Sequence, residues 1–160
     1  MKKLMEAHRI LERCLGKHGV WADPTRYRGQ CWTRDFSLAT QPLLLQLGKT
    51  RVAACHLRSL YERQGEDGSI PILFLDGVHG TAAFLKDKVA KSVRDGRVSF
   101  MLKRFLSGNL GRVTPGTRDS ELLYVTAACD HKDATGSLPI PWASLEKAVK
   151  YIRSNLSGSS

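Results

Sequence analysis

The first pattern in the chain has the spacing of a helix. Its residues recur at intervals of three or four positions, so they share one helix face: Leu4, Ala7, His8, Leu11 and Leu15. This spacing predicts an amphipathic helix before Gly16. The segment 35–47 is apolar on nearly all sides, which is typical of a buried helix, and Pro42 inside it should kink that helix or mark a late start. Gly48 separates it from a helical pattern over 52–64, so we expect a helical hairpin.

The second half of the chain repeats the helical pattern after an extended stretch. The segment 70–75 is an apolar run, and it cannot be the interior of a helix because it contains Pro71. Helical patterns return in four segments: 81–94, 97–106, 117–128 and 142–156. Pro141 suits the start of the last of these. With about six helices and no convincing sheet, the sequence predicts an all-α protein of antiparallel helical hairpins.

Length and charge refine this picture. The 160 residues fit a single domain over 1–160, in which we expect 157–160 to be a disordered tail. The formal net charge is +10. All of the excess lies in 1–30 and 81–112, which are best interpreted as solvated helix faces. A nucleic-acid-binding surface is the less favoured alternative, because neither segment interleaves aromatic residues with glycine.

Targeting and metal signals are weak. The longest apolar run, 41–47, is far below the ~20 residues needed to cross a bilayer, and residues 1–12 lack the apolar core of a signal peptide. We therefore expect a cytoplasmic protein with no membrane partner. Its four cysteines should be reduced, and they are too widely spaced for a CxxC metal motif, so neither a metal nor a cofactor is expected.

Three loop motifs carry most of the chemistry: 30–36, 65–71 and 111–121. The first and third each place an Arg-Asp pair where a loop leads into a helix. The simplest interpretation is that Asp35 and Asp119 cap those helices by accepting backbone hydrogen bonds. Together with the flat face of Trp32 and the donor forks of Arg34 and Arg118, however, the two carboxylates also predict a site for a polyhydroxylated ligand.

The order of these motifs resembles the first part of the six-hairpin glycosidase superfamily. The matching patterns are Trp-x-Arg-Asp-Phe, then Asp-Gly-x-Ile-Pro, then Thr-Pro-x-Thr-x-Asp-Ser, and they cover roughly residues 28–130. Neutral invertases and the amylo-α-1,6-glucosidase domain of glycogen debranching enzymes belong to this superfamily. The resemblance implies a toroid of paired helices whose loops at one end bind an α-glucoside or related oligosaccharide and hydrolyse it with inversion.

The resemblance also implies roles for individual residues. Asp119 would be the general acid that protonates the departing glycosidic oxygen. Residues of the first motif, with Arg118, would line the sugar subsite: Trp32, Arg34, Asp35 and Phe36. Glu121 stands where invertase-like members have a small residue, and it remains an alternative for the functional carboxylate.

The length predicts that this machinery is incomplete. Inverting hydrolysis needs a second carboxylate about 6.5–9.5 Å from the acid, and in relatives the C-terminal half of the toroid supplies it. About six helices make half of a toroid, so we expect little activity alone and a partner that is either the missing half or a second copy joined through exposed helix faces. A non-catalytic helical module that binds a sugar or a partner is the alternative.

Overall fold

The computed structural model describes residues 2–94 and 119–157 of the chain. These residues are mostly helical, as predicted, and they form the following elements: α1 (Lys2–Cys14), β1 (Gln30–Trp32), α2 (Thr33–Asp35), a π-helical segment (Phe36–Thr40), α3 (Gln41–Gln46), α4 (Thr50–Tyr61), β2 (Leu73–Leu75), α5 (Gly77–Arg94), α6 (Ser120–Thr135) and α7 (Trp142–Ser157). No helix among them is both long and apolar enough to span a bilayer.

The predicted helix over 35–47 begins earlier and is not uniform. Helical backbone starts at Thr33, continues through a π-helical segment and becomes regular α-helix at Gln41. Pro42 stands in the first turn of α3, directly after the π-helical segment, so its missing N–H falls where the helical hydrogen-bond pattern changes. The backbone before it is already helical, and the proline marks a change of helix type where a kink or a late start was predicted. Gly48, with φ of 68°, ends the helix in a turn that leads to α4.

A short β ribbon corrects the expectation of no sheet. β1 and β2 pair antiparallel, with Cys31 opposite Phe74 and Trp32 opposite Leu73. The predicted extended run therefore becomes β2, held by a three-residue partner whose sequence shows no alternating pattern. The ribbon joins the start of the first motif to the segment that follows the second, so it fixes the distance between them.

The core draws residues from α1, the β ribbon, the π-helical segment, α3, α4, α6 and α7. Leu57 and Leu60 of α4 are fully buried, as are Tyr124 and Ala128 of α6. The Tyr124 hydroxyl donates to Ser144 Oγ of α7 over 2.8 Å, and that oxygen in turn donates to a glutamine just past α4. Because the buried polar groups are satisfied by one another, the three helices are held in one arrangement.

The remaining helices compare with their predicted ranges as follows. The 81–94 pattern belongs to α5, which begins at Gly77, and the 117–128 pattern belongs to α6, which begins at Ser120 and ends at Thr135. The 142–156 pattern is α7, which follows Pro141 and includes Ser157, the first residue of the expected tail. The predicted helix over 97–106 and residues 158–160 lie outside the described residues.

Candidate functional site

The first and third motifs meet through an ion pair. Arg34 in α2 places a guanidinium nitrogen 2.7 Å from a carboxylate oxygen of Asp119, which stands directly before α6. The Arg34 side chain is 63% exposed and that of Asp119 31% exposed, so solvent and any ligand can reach both groups. A donor fork and an acceptor pair are therefore presented side by side, which is the chemistry that binds vicinal hydroxyls.

The second motif is held between the other two. Thr33, buried beside the exposed Arg34, donates from its hydroxyl to the carbonyl of Pro71 over 2.6 Å. Its backbone N–H donates to the carbonyl of Ile72 over 2.8 Å. Sequence reasoning gave Thr33 no role. A threonine between two charged or aromatic motif residues was the only signal, and it is too common to single out.

Glu121 holds the second motif from the opposite side. One of its carboxylate oxygens accepts a hydrogen bond from the backbone N–H of Ile70 over 2.9 Å, and Glu121 is only 5% exposed. A carboxylate committed to a buried backbone donor in the first turn of α6 positions a loop. Burial and this contact therefore distinguish a structural Glu121 from the more accessible Asp119.

The capping interpretation of the two aspartates is wrong. Asp35 lies within helical backbone and makes no capping hydrogen bond with its side chain. Asp119 is the residue directly before α6, and its backbone carbonyl accepts a hydrogen bond from Leu123 N–H. Its carboxylate makes no capping hydrogen bond. That carboxylate contacts Arg34 instead, because a guanidinium is a stronger partner than a backbone N–H.

The other predicted site residues fall into three groups. Asp35 is exposed and Trp32 is partly exposed, so both are accessible to a ligand. Phe36 is 1% exposed, which corrects the expectation that it touches a sugar. Its ring stacks on His56 with centroids 3.7 Å apart and supports the site from within. Arg118 lies outside the described residues.

The imidazole beneath Phe36 is neutral. Complete burial lowers the pKa of His56 to about 3, and the nearby Arg63 charge acts in the same direction. Its Nδ1 accepts from Val20 N–H, so the ring proton is on Nε2, for which the described part of the chain offers no hydrogen-bond partner. The support under the site is therefore an uncharged stack of two rings.

Neither a metal centre nor a known relative defines this site. Within residues 2–94 and 119–157, no three His, Cys, Asp or Glu side chains form a group that could hold a metal ion. The four cysteines are free thiols. Comparisons with protein-family models, curated proteins and solved structures found no match to this chain. Function is therefore inferred from the described residues of the three motifs, 30–36, 65–71 and 119–121, while 111–118 lie outside the described residues.

Proposed function

We propose that the three motifs form the acid-bearing part of the sugar site in an inverting glycoside hydrolase of the α/α-toroid type. The substrate would be an α-glucoside or a related oligosaccharide. The observation that supports this most directly is the ion pair between Arg34 and Asp119, which joins the first and third motifs at an accessible position. If Asp35 and Asp119 only capped their own helices, Arg34 and Asp119 would not need to be in contact.

In this proposal each accessible residue has its own role. Trp32 offers a flat apolar face to a sugar ring, while Arg34 donates to ring hydroxyls and Asp35 accepts from them. Asp119 donates a proton to the departing glycosidic oxygen. Thr33 and Glu121 keep the second motif in place and do not touch the substrate.

The proposed reaction needs a general base as well. A second carboxylate must stand about 6.5–9.5 Å from the acid to activate water on the opposite face of the sugar. We propose that it comes from the other half of the toroid, supplied by a partner or, less favourably, by a second copy of this chain. The described residues then provide half of the sugar site.

A non-catalytic sugar-binding module is the second candidate, and the same ion pair favours it. In the contact with Arg34, the Asp119 carboxylate serves as a hydrogen-bond acceptor. That form binds hydroxyl groups, whereas a general acid must arrive protonated. The two candidates share the site and differ only in whether a proton is transferred.

Calorimetric titration with maltose and sucrose tests the shared site. We expect binding by the wild-type chain and a loss of about tenfold or more in affinity for Asp35→Ala and Arg34→Met, since a hydrogen bond to a charged group contributes about 1.5–3 kcal/mol. Asp133→Asn is a matched control, because Asp133 is an exposed carboxylate at the opposite end of α6 from Asp119. Binding of a duplex oligonucleotide without any response to sugar would overturn both candidates.

Glucose release distinguishes the candidates. Hydrolysis that is abolished in Asp119→Asn, with sugar binding retained, supports the enzyme. Sugar binding without hydrolysis, in the chain alone and with its proposed partner half, supports the binding module.

A further inference from the structure

A second charged cluster lies at the other end of the β ribbon, where Asp76 follows β2. One carboxylate oxygen of Asp76 is 2.9 Å from Nδ1 of His18, and the other accepts from Nε1 of Trp21, also over 2.9 Å. The Asp76 side chain is 3% exposed, whereas the His18 side chain is 44% exposed. A buried carboxylate therefore holds two partly exposed rings of the 16–21 loop.

The 16–21 loop is a cover over His56. Val20 N–H donates to Nδ1 of this buried ring over 3.1 Å. The loop passes so close that a Cβ atom added to Gly19 would stand 2.9 Å from the same nitrogen. The α4 side chain of Ser59 also donates to the carbonyl of His18 over 2.6 Å. Lifting the loop would therefore expose an imidazole that is otherwise sealed from water.

We propose that Asp76 is an acid-sensitive clamp: its ionised carboxylate holds the 16–21 loop over His56, and protonation of that carboxylate releases the loop. The number of hydrogen-bond donors and acceptors around Asp76 supports this proposal. The indole of Trp21 can only donate, and a protonated His18 ring can only donate. A protonated Asp76 would face the same two donors with one acceptor fewer, and its own carboxyl is only 3% exposed.

The surroundings of Asp76 agree with this assignment. The groups that act on it or on its neighbours are His18 on the loop, Arg28 over the Trp21 ring, Cys31 on β1, and Cys55, His56 and Arg63 on or just after α4. Burial tends to raise the pKa of Asp76, but the hydrogen bonds from Trp21 and His18 outweigh it, so the pKa is lowered. Burial raises the pKa of both thiols, with the Asp76 charge acting in the same direction, so they stay neutral in acid.

Opening the clamp has a second consequence at His56. Once the loop lifts, water reaches the imidazole and restores its ordinary proton affinity, so the ring binds a proton at acidic pH. The protonated ring cannot stack on Phe36 in the buried site again until it has released the proton. The open state is therefore stabilised by proton uptake at two groups, Asp76 and His56.

The clamp is tested by NMR of the full chain between about pH 7.5 and about pH 2.5, a range that extends below the ordinary pKa of an aspartate, following the Trp21 indole N–H and the His56 ring. We expect the Trp21 signal to change as the His56 ring titrates, while helical circular dichroism is retained. In His18→Asn, which loses the cationic partner of the carboxylate, opening should move to higher pH by about half a unit. Asp76→Asn should also open at higher pH and take up fewer protons on opening.

Asp23→Asn is the matched control, since Asp23 is an aspartate of the next turn whose carboxylate accepts from Thr25 and Arg26 and touches neither ring. Its opening midpoint should equal that of the wild type. The proposal is overturned if His18→Asn leaves the midpoint unchanged or lowers it. It is also overturned if the Trp21 signal survives until the helices themselves unfold. The Trp21 signal is measured on the wild-type chain, so this second outcome can be observed even if Asp76→Asn does not fold.

Discussion

Two aspartates of this chain make similar pairs in opposite surroundings. Asp119 contacts Arg34 over 2.7 Å with its side chain 31% exposed, and Asp76 contacts His18 over 2.9 Å with its side chain 3% exposed. A pair that water can reach contributes little to folding and is free to exchange its partner for a ligand. A buried carboxylate with two donors contributes more, because its oxygens are shielded from water and depend on those donors for their hydrogen bonds. The first pair is suited to recognition and the second to holding the fold.

The largest predicted effect comes from removing each carboxylate in turn. Asp76→Ala leaves the Trp21 indole and the His18 ring without their acceptor and should lower the free energy of unfolding by about 3 kcal/mol. Asp119→Ala breaks an accessible pair and should cost less than about 1 kcal/mol. Urea unfolding at neutral pH measures both. Equal losses would remove the distinction between the two aspartates.

The next effect is the pH dependence of stability, and it sharpens the buried side of the comparison. His56 has a pKa of about 3 in the folded chain, below its ordinary value of 6.5. Between these values the unfolded chain binds the extra proton, so stability is intact above about pH 6.5 and falls as the pH decreases toward 3. Urea unfolding at pH 5 should show a loss of about 2 kcal/mol relative to pH 7.5.

Two variants attribute that loss to the buried ring. In His56→Gln, whose amide oxygen can still accept from Val20 N–H, the loss between pH 7.5 and pH 5 should be much smaller. His8→Gln removes a ring on the exposed face of α1 and should keep the full loss. The Asp76 carboxyl does not contribute in this range, because its lowered pKa lies well below pH 5. The attribution fails if the pH dependence is the same in His56→Gln and the wild type.

A smaller effect distinguishes Glu121 from the accessible Asp119. Glu121→Ala leaves the buried N–H of Ile70 without an acceptor and should cost about 1.5 kcal/mol. Glu121→Gln keeps an oxygen at the same place and should recover most of the loss. Hydrogen exchange at the Ile70 amide reports the contact directly. A sugar affinity that falls in Glu121→Gln without any change in that exchange would show that Glu121 binds the ligand itself.

The smallest effect on stability belongs to the other member of the accessible pair. Arg34→Met removes the charge but keeps much of the apolar stem, so unfolding should change by less than about 0.5 kcal/mol. Thermal denaturation with and without the substitution measures this. A loss comparable to that of Asp76→Ala would mean that Arg34 holds the motifs together and is not free for a ligand.

The parts of the fold that depend on local pattern were predictable. The periodicity before Gly16 and over 52–64 corresponds to α1 and α4, and Gly48 ends a helix as expected. The β ribbon was missed because three residues are too few to show alternation, and β1 owes its pairing to Leu73–Leu75 much later in the chain. Short strands of this kind are set by tertiary contacts.

The candidate site was predictable in composition but not in its contacts. The motifs identified Arg34 and Asp119, whereas their pairing depends on α2 packing near the start of α6. The capping expectation failed for the same reason, since local rules do not include a guanidinium brought from a distant segment. The contacts of Asp76 with His18 and Trp21 had no sequence signal at all, because 58 and 55 residues separate the partners.

The most direct test of the central claim, that the three motifs build a sugar site, is a maltose titration followed at the three indole N–H signals of the chain. Trp32 belongs to the first motif, Trp21 to the clamp, and Trp142 contacts Glu146 on α7. The account predicts that maltose moves the Trp32 signal alone and that Arg34→Met abolishes the movement. An unmoved Trp32 signal, or equal movement of all three, would contradict it.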